Sequence, residues 1–299
     1  MAGDDLLLSF QLTSGAFRGR LARLGGAIDG ILAKHAYAPP VAALLAETVA
    51  LAAVLAGALK YDGKFTLQAQ GNGPVSLLVA DVTSDGDLRG YARVDDDRLA
   101  GLRDDEGTLP GLLGTGYLAF TVDQGPDTDR YQGIVELAGA SLADCVHEYF
   151  RRSEQIDSAL KVAVRAPQSG GGWRAAGLLL QRMPPSGAPI LLEDVDEAWR
   201  RAVILMSSAT PPEMVDPALT GEALLWRLFH DDGLTVSTSR PLRARCRCSQ
   251  SRVEGTLRSF PRHDVEEMKD ETGRVVVTCE FCKTSYVFGH ADLDGLYAS

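Results

Sequence analysis

The residue pattern predicts an α+β protein: a mainly antiparallel-sheet N-terminal domain with helices, then a helical linker region, then a small C-terminal four-cysteine zinc domain. Three observations carry that prediction. Between residues 64 and 137, short runs alternate apolar and polar residues with period two and are joined by tight polar loops, the pattern of sequential antiparallel strands. Between residues 192 and 231 the period lengthens to that of amphipathic helices, with no strand pattern beside them. Four of the five cysteines fall between positions 246 and 282, in two close pairs.

The chain is 299 residues long, 45% hydrophobic and 23% charged, an ordinary soluble composition sufficient for two or three domains. A formal charge of −10, with no basic stripe studded with aromatics, argues against a nucleic-acid partner, since neutralising phosphates takes clustered Lys and Arg. The opening MAGDDLLLSF has acidic residues where an export signal needs positive ones, and thiols in metal spacing suit a reducing compartment. Both features predict a cytoplasmic protein.

The first helix expected is Val41 to Leu59, the longest apolar window. It is Ala-rich, short of large side chains and carries Glu47 and Thr48, so it reads as a buried helix and not as a membrane span. Strands follow at Lys64–Gly71, Val75–Val82 and Leu88–Val94, the last two joined through Ser84-Asp85-Gly86-Asp87. Tyr117–Gln124 and Tyr131–Leu137 continue the series across the GPDTDR loop. Ser141 caps a helix predicted over Leu142–Arg152. Strand patterns resume at Ser158–Ala166 and Trp173–Gln181, separated by Ser169-Gly170-Gly171-Gly172. The first domain, residues 1–183, should therefore close near Met183, where Pro184-Pro185-Ser186-Gly187 reads as a linker.

The linker region, residues 184–240, holds a helix over Leu192–Ser207, acidic at its start and basic at Arg200 and Arg201, which suits the helix dipole. A second helix, Gly221–Asp231, is apolar over much of its circumference at Leu224, Leu225, Trp226, Leu228 and Phe229. Those apolar faces must lie on the first domain or on another subunit.

Residues 241–299 hold nine Lys and Arg against nine Asp and Glu, with few large apolar side chains to make a core. Cys246-Arg-Cys248, thirty intervening residues, then Cys279-Glu-Phe-Cys282 is the spacing of a tetrahedral four-thiol zinc site. Arg274–Thr278 and Thr284–Phe288 read as a hairpin with the second pair in its turn, and two short helices are expected between the pairs. Ser249 or Ser251 would cap one carrying Val253 and Leu257; Asp264 would cap one carrying Val265 and Met268. Cys246 and Cys248 share a face only if the chain is extended there. A structural zinc would supply roughly 10 to 16 kcal/mol at neutral pH, so this module should fold with the ion and melt without it. Four thiolates and one Zn²⁺ leave a charge of about −2, which Arg245, Arg247, Arg274 and Lys283 are near enough in sequence to offset. Oxidation of such thiolates would remove the ligands.

These cysteines, together with YFRRSEQI (149–156), GLLLQRMP (177–184), LFHDDG (228–233) and VTCEFCKTSYVF (277–288), resemble the bacterial thirty-three-kilodalton heat-shock protein family of redox-switched holdase chaperones. The resemblance covers nearly the whole chain. It implies an ATP-independent chaperone with one zinc per chain when reduced and inactive. On oxidation it implies two disulfides, Cys246 with Cys248 and Cys279 with Cys282, zinc release, unfolding of the C-terminal region and a homodimer in the active form. Partners would be unfolded client proteins, captured on surface uncovered around Leu224, Trp226, Leu228 and Phe229. Lys283 departs from the common zinc-knuckle pattern, which favours glycine after the second thiol.

No other group competes as a site. Cys145 reads as a semi-buried hydrophobe, and His35, His147, His230, His263 and His290 are scattered. Ser158-x-x-Lys161 lies on a predicted strand with its two ends facing opposite sides. The acid runs Asp95-Asp96-Asp97 and Asp104-Asp105-Glu106 read as solvated turns, and Gly71-Asn72-Gly73-Pro74 as a turn with no helix after it. With no paired nucleophile and base, the residues do not describe an enzyme. The competing reading is a constitutive zinc-stapled protein- or RNA-binding module without redox switching.

Overall fold

The structure, a computed structural model, describes residues 4–13, 16–103, 107–125, 128–168, 171–183, 192–237 and 239–297, the side chains of 192–194 excepted. The Pro184–Gly187 linker, Asp104–Glu106 and half of the 169–172 turn lie outside the described residues. The chain forms two compact units, Met1–Ala244 and Arg245–Ser299.

In chain order the first unit contains β1 (Leu6–Leu12), β2 (Phe17–Leu24), α1 (Gly26–Leu32), α2 (Pro39–Ala58), β3 (Lys64–Gly71), β4 (Val75–Thr83), β5 (Asp87–Val94), α3 (Asp96–Ala100), α4 (Leu109–Leu113), β6 (Gly116–Asp123) and β7 (Tyr131–Glu136). Then come α5 (Leu142–Tyr149), a π turn (Phe150–Glu154), β8 (Ser158–Arg165), β9 (Arg174–Arg182), α6 (Leu192–Ser208), α7 (Pro211–Met214), α8 (Gly221–Phe229), β10 (Thr235–Val236), β11 (Arg240–Pro241) and β12 (Arg243–Ala244). The second unit has α9 (Gln250–Arg258), α10 (Arg262–Glu267), β13 (Val275–Thr278), β14 (Ser285–Phe288) and α11 (His290–Tyr297).

Two sheets build the first unit, and the α+β expectation holds. One runs β10-β1-β2-β9-β8 with β11 also on β1; the other runs β12-β5-β4-β3-β6-β7. Every ladder is antiparallel except the short β12–β5 pair. Helix α2 lies between the sheets, packed on β9, β2 and β8 from one side and on β4, β5 and β3 from the other. Its sequence dictates this. A helix apolar all round can only be buried, and its alanines keep it thin enough for two sheets to close on it. Pro39 and Pro40 start it, where missing N–H groups cost nothing. The strands make room too: a Cβ on Gly177 of β9 would meet the Ala50 carbonyl at 3.0 Å, and one on Gly90 of β5 would meet Val49 at 3.0 Å. By length and composition α2 could cross a membrane, yet its surface is consumed by the sheets around it.

The other face of the first sheet is covered by α6, α7 and α8. Ala202, Met206, Met214, Leu224, Leu225, Leu228 and Phe229 form one buried cluster with Leu8, Phe10, Leu12, Phe17 and Leu21 of β1 and β2. The apolar faces of the linker helices thus lie on the first domain. Buried Arg23 donates to the carbonyls of Asp216 and Leu219, and Arg174 donates to that of Val215 at 2.7 Å, tying the α7–α8 connection to the same sheet.

Several boundaries differ by a residue or two from the sequence reading, α8 for example ending at Phe229 and not Asp231, and two differences have an identifiable cause. Helix α5 has its Ser141–Asp144 capping box but ends at Tyr149, where the Tyr131 and Tyr149 hydroxyls both donate to Glu154 and the backbone widens into the π turn. Asp264 lies inside α10, whose cap is Pro261.

Phe10 lies over Gly19, its partner across β1 and β2, and stacks on Phe229 of α8 with ring centroids 5.7 Å apart. A Cβ on Gly19 would fall inside that ring. Gly19→Val should therefore displace Phe10 and unseat α8, lowering stability by about 1–3 kcal/mol, read as a fall in the thermal unfolding midpoint; an unchanged midpoint would contradict this packing.

Candidate metal centre

The thiol site is built within the second unit. β13 and β14 pair in the register Val277–Tyr286 and Thr278–Ser285, so the hairpin turn carries Cys279 and Cys282. The turn is closed by the Cys279 N–H donating to the Thr284 carbonyl (2.9 Å) and the Lys283 N–H donating to the Cys279 carbonyl (2.8 Å). Lys283 takes a left-handed backbone, φ 57°, the conformation glycine would supply at this place. Cys246 and Cys248 lie just before α9, in a stretch with no helix or turn. Ser249 then caps α9, its hydroxyl accepting the Arg252 N–H at 3.3 Å.

All four sulfurs lie within 4.8 Å of one another. Two contacts run across the motifs, Cys246 to Cys279 at 3.7 Å and Cys248 to Cys282 at 3.3 Å. A tetrahedron with metal–sulfur bonds of about 2.3 Å has edges of about 3.8 Å, so the donor set fits a tetrahedral thiolate ion. The arrangement is compatible with a metal, and four soft donors suit zinc chemistry.

The four thiols are not electrostatically alike. Burial would raise Cys282, but the Thr284 hydroxyl at 3.3 Å, the Thr284 backbone N–H and the Cys248 and Cys246 thiols outweigh it and hold its pKa at about 6. Cys248 is pushed up to about 12, first by burial and then by the neighbouring thiols, although the Tyr286 hydroxyl donates to its sulfur at 3.1 Å. Burial also raises Cys279. Four crowded sulfurs share the first negative charge unequally and resist a second one, the repulsion that a divalent cation relieves. Of the cations expected to balance the centre, Lys283 pairs with Glu280 at 2.9 Å and Arg274 donates to the Thr272 hydroxyl at 2.9 Å.

Little else holds this unit together. Its core is Leu257, Val265, Val275, Phe288, Leu293 and Leu296, the last two from α11. Tyr297 donates to the Leu257 carbonyl at 2.7 Å, and Arg262 pairs with Asp294.

The other sequence candidates fall as follows. Leu224, Leu228 and Phe229 are buried under α8, whereas Trp226 points outward, 61% exposed, beside His230. Cys145 is buried in the core of the first unit, which raises its pKa. His263 pairs with Asp264 and His290 with Asp294, both outside the thiol cluster. Lys161 donates to the Ser207 carbonyl at 2.7 Å, while Ser158 is buried without a partner among the described residues. Asp95 caps α3. Sequence reasoning missed Thr284 and Tyr286 as partners of sulfur; the β13–β14 register was the signal that could have placed them.

A two-sheet α+β unit followed by a small hairpin knuckle that gathers four thiols defines a class of protein with a C-terminal thiolate centre. The chain belongs to the Hsp33 family, whose model, described as Hsp33 protein, matches residues 5–289. It is 41% identical over 289 residues to the 33 kDa chaperonin of Caulobacter vibrioides, covering 95% of this chain and 94% of that one. It is 38% identical over 298 residues to the 33 kDa chaperonin of Ectopseudomonas mendocina, covering 99% and 96%. The crystal structure of the 33 kDa chaperonin from Thermotoga maritima shares the fold, with a TM-score of 0.81 at 23% identity over 98% of this chain and 97% of that one.

The left-handed backbone at Lys283 costs about 1 kcal/mol that glycine would not incur, and its exposed ion pair with Glu280 returns little. Lys283→Gly should accordingly stabilise the second unit by about 0.5–1 kcal/mol, read as slower proteolysis between residues 245 and 297 in the reduced, metal-loaded protein. Faster cleavage than wild type would refute the assignment.

Proposed function

We propose that this chain is a cytoplasmic, ATP-independent holdase that is inactive while Cys246, Cys248, Cys279 and Cys282 hold one zinc ion and is activated by their oxidation. The convergence of four sulfurs within 4.8 Å, in a unit whose core is six side chains, is the observation that carries the reading. When bound, zinc cross-links the two ends of that unit and neutralises part of their thiolate charge. Binding client is not a chemical turnover, and no catalytic group is required.

The oxidant is a peroxide or hypochlorous acid. With peroxide, a thiolate attacks one oxygen, the S–O bond forms, the O–O bond breaks and hydroxide departs; a second thiolate then attacks the sulfenic sulfur, forming S–S and releasing water. Two such rounds convert four thiolates, two peroxides and four protons into two disulfides and four waters. Following the family resemblance, the pairs are Cys246 with Cys248 and Cys279 with Cys282. The contacts at 3.7 and 3.3 Å run across the motifs; once no ion is shared, the short loops within each motif favour internal pairing.

Losing the ligands releases the ion and leaves the second unit without its main cross-link, so residues 241–299 unfold. The linker region, residues 184–240, then loosens from the first domain, residues 1–183, and the active form is a homodimer. Unseating α8 would uncover Leu224, Leu228 and Phe229 beside the already exposed Trp226, giving unfolded proteins an apolar surface.

The test is direct. Purified reduced protein should contain one zinc per chain and fail to suppress aggregation of a heat-denatured client; peroxide with mild warming should release the zinc and confer suppression. Peptide mapping under non-reducing conditions should find the two intra-motif disulfides. Equal suppression in both states would leave a constitutive zinc-stapled binding module as the better account.

A further inference from the structure

Beyond the chaperone reading, and not dependent on it, we propose that the first unit contains a binding site for a free single-chain amphipathic carboxylate, in the space between the sheets beyond the end of α2. The helix separates the sheets only as far as Ala58; at Leu59 the backbone turns extended, φ −94° and ψ 150°. The sheets continue past that point, leaving a cavity of about 540 Å³, within the range of small-molecule sites. Leu55 of α2, Phe65 of β3, Phe120 and Val122 of β6 and Phe150 of the π turn supply its apolar wall. Tyr131 and Leu59, both half exposed, stand at its rim.

The polar groups facing this space are unevenly matched, and the mismatch sets the sign of the ligand. On the β2 side are Arg18 and Arg20. The Arg20 guanidinium donates only to carbonyls, Gly57 at 2.7 Å and Gly19 at 2.8 Å, and meets no carboxylate among the described residues. Burial, then Arg18 and Arg240, lower its pKa, so its charged neighbours are like charges. Arg240 lies outside the cavity lining; its Nε and Nη2 are buried without a partner among the described residues and add to the like charge around Arg20. A desolvated cation beside two others is costly until an anion arrives.

Of the acids on the opposite wall, Glu154 is firmly engaged and Asp157 is mostly in solvent. Glu154 accepts from the Tyr131 and Tyr149 hydroxyls, and Asp157 faces Arg182 at 3.5 Å. A cationic head would meet there only Asp157, 62% exposed to solvent and 3.5 Å from an arginine that pairs more closely with Asp196, whereas an anionic head would meet the guanidinium groups of Arg18 and Arg20. Arg20 could be explained simply as a cation at the negative end of α2. That explanation uses one of its donors, Nε on the Gly57 carbonyl; it accounts neither for the surrounding arginines nor for an apolar void of this size. The π turn that places Tyr149, Phe150 and Glu154 along the wall is a distortion common at functional sites.

The probe is decanoate below its micellar concentration, titrated by calorimetry into the full-length reduced, zinc-loaded protein, with decanol and decyltrimethylammonium as uncharged and cationic controls. Saturable one-to-one binding of decanoate is expected, with an unfolding midpoint that rises with ligand concentration. Decanol should bind at least about tenfold more weakly, which sets the charge contribution apart from burial of the chain. Arg20→Met should lower decanoate affinity at least about tenfold and leave decanol unchanged. Arg18→Ala, at an exposed position, gives the same reading in the same direction should the Arg20 variant fail to fold. Ala58→Trp, which fills the cavity, should abolish binding of both. Equal affinity for the three amphiphiles, binding that survives Ala58→Trp, or capture by phosphatidylglycerol vesicles in preference to free decanoate would each overturn the proposal.

Discussion

The structure depends on one sheet being covered twice. The β1-β2-β9-β8 sheet presents apolar side chains on both faces: α2 and the second sheet bury one, and α6 to α8 bury the other. The first covering is internal to the fold and consumes a helix with no polar face. The second comes from the segment that leads directly into the cysteine module. The outer apolar face of this sheet is therefore buried by helices contributed from the linker region.

The means of holding that linker are graded. Packing around Phe10 and Phe229 supplies the bulk of the contact, while Arg23 and Arg174 pin the α7–α8 connection by donating to carbonyls of residues 215 to 219. Such charge-assisted bonds from nearly buried arginines orient the segment but replace solvation that both partners lose, so their net worth is modest. Apolar burial lost on undocking is offset in large part by backbone freedom regained over three helices. A segment balanced in this way can be moved by a small perturbation, whereas α2, enclosed on all sides, cannot.

Legibility in the sequence followed how local each determinant was. The strands from β3 to β7 could be read because one face is buried and the other wet, so period two survives in the residues. β1 was invisible to the same reading: Leu7, Leu8, Phe10 and Leu12 are all buried because its sheet is covered on both sides, and alternation disappears. β2 was obscured differently, since Arg18, Arg20 and Arg23 break the apolar run while Arg23 is itself buried. The thiol cluster was legible in full, because ligand spacing within each motif is written in adjacent residues. Thr284, two residues beyond Cys282, was within reach of the hairpin register, whereas the Tyr286–Cys248 contact and the cavity beyond α2 join elements far apart in sequence, which no short pattern encodes. The sulfur contacts across the two motifs were likewise a tertiary fact.

Lys283 shows how departure from a motif can carry information about geometry. The knuckle needs a left-handed residue after its last thiol, and the chain meets that need with lysine, not glycine. The strain must be over-determined by its surroundings: the Lys283 N–H closes the turn onto Cys279, the strands of the hairpin fix both ends, and the four sulfurs must converge. Remove the convergence and the hairpin alone has to hold a backbone angle that lysine disfavours, in a unit with six buried side chains. Lysine at this position therefore holds local strain in the hairpin, kept in place by the turn, the strands and the gathered sulfurs.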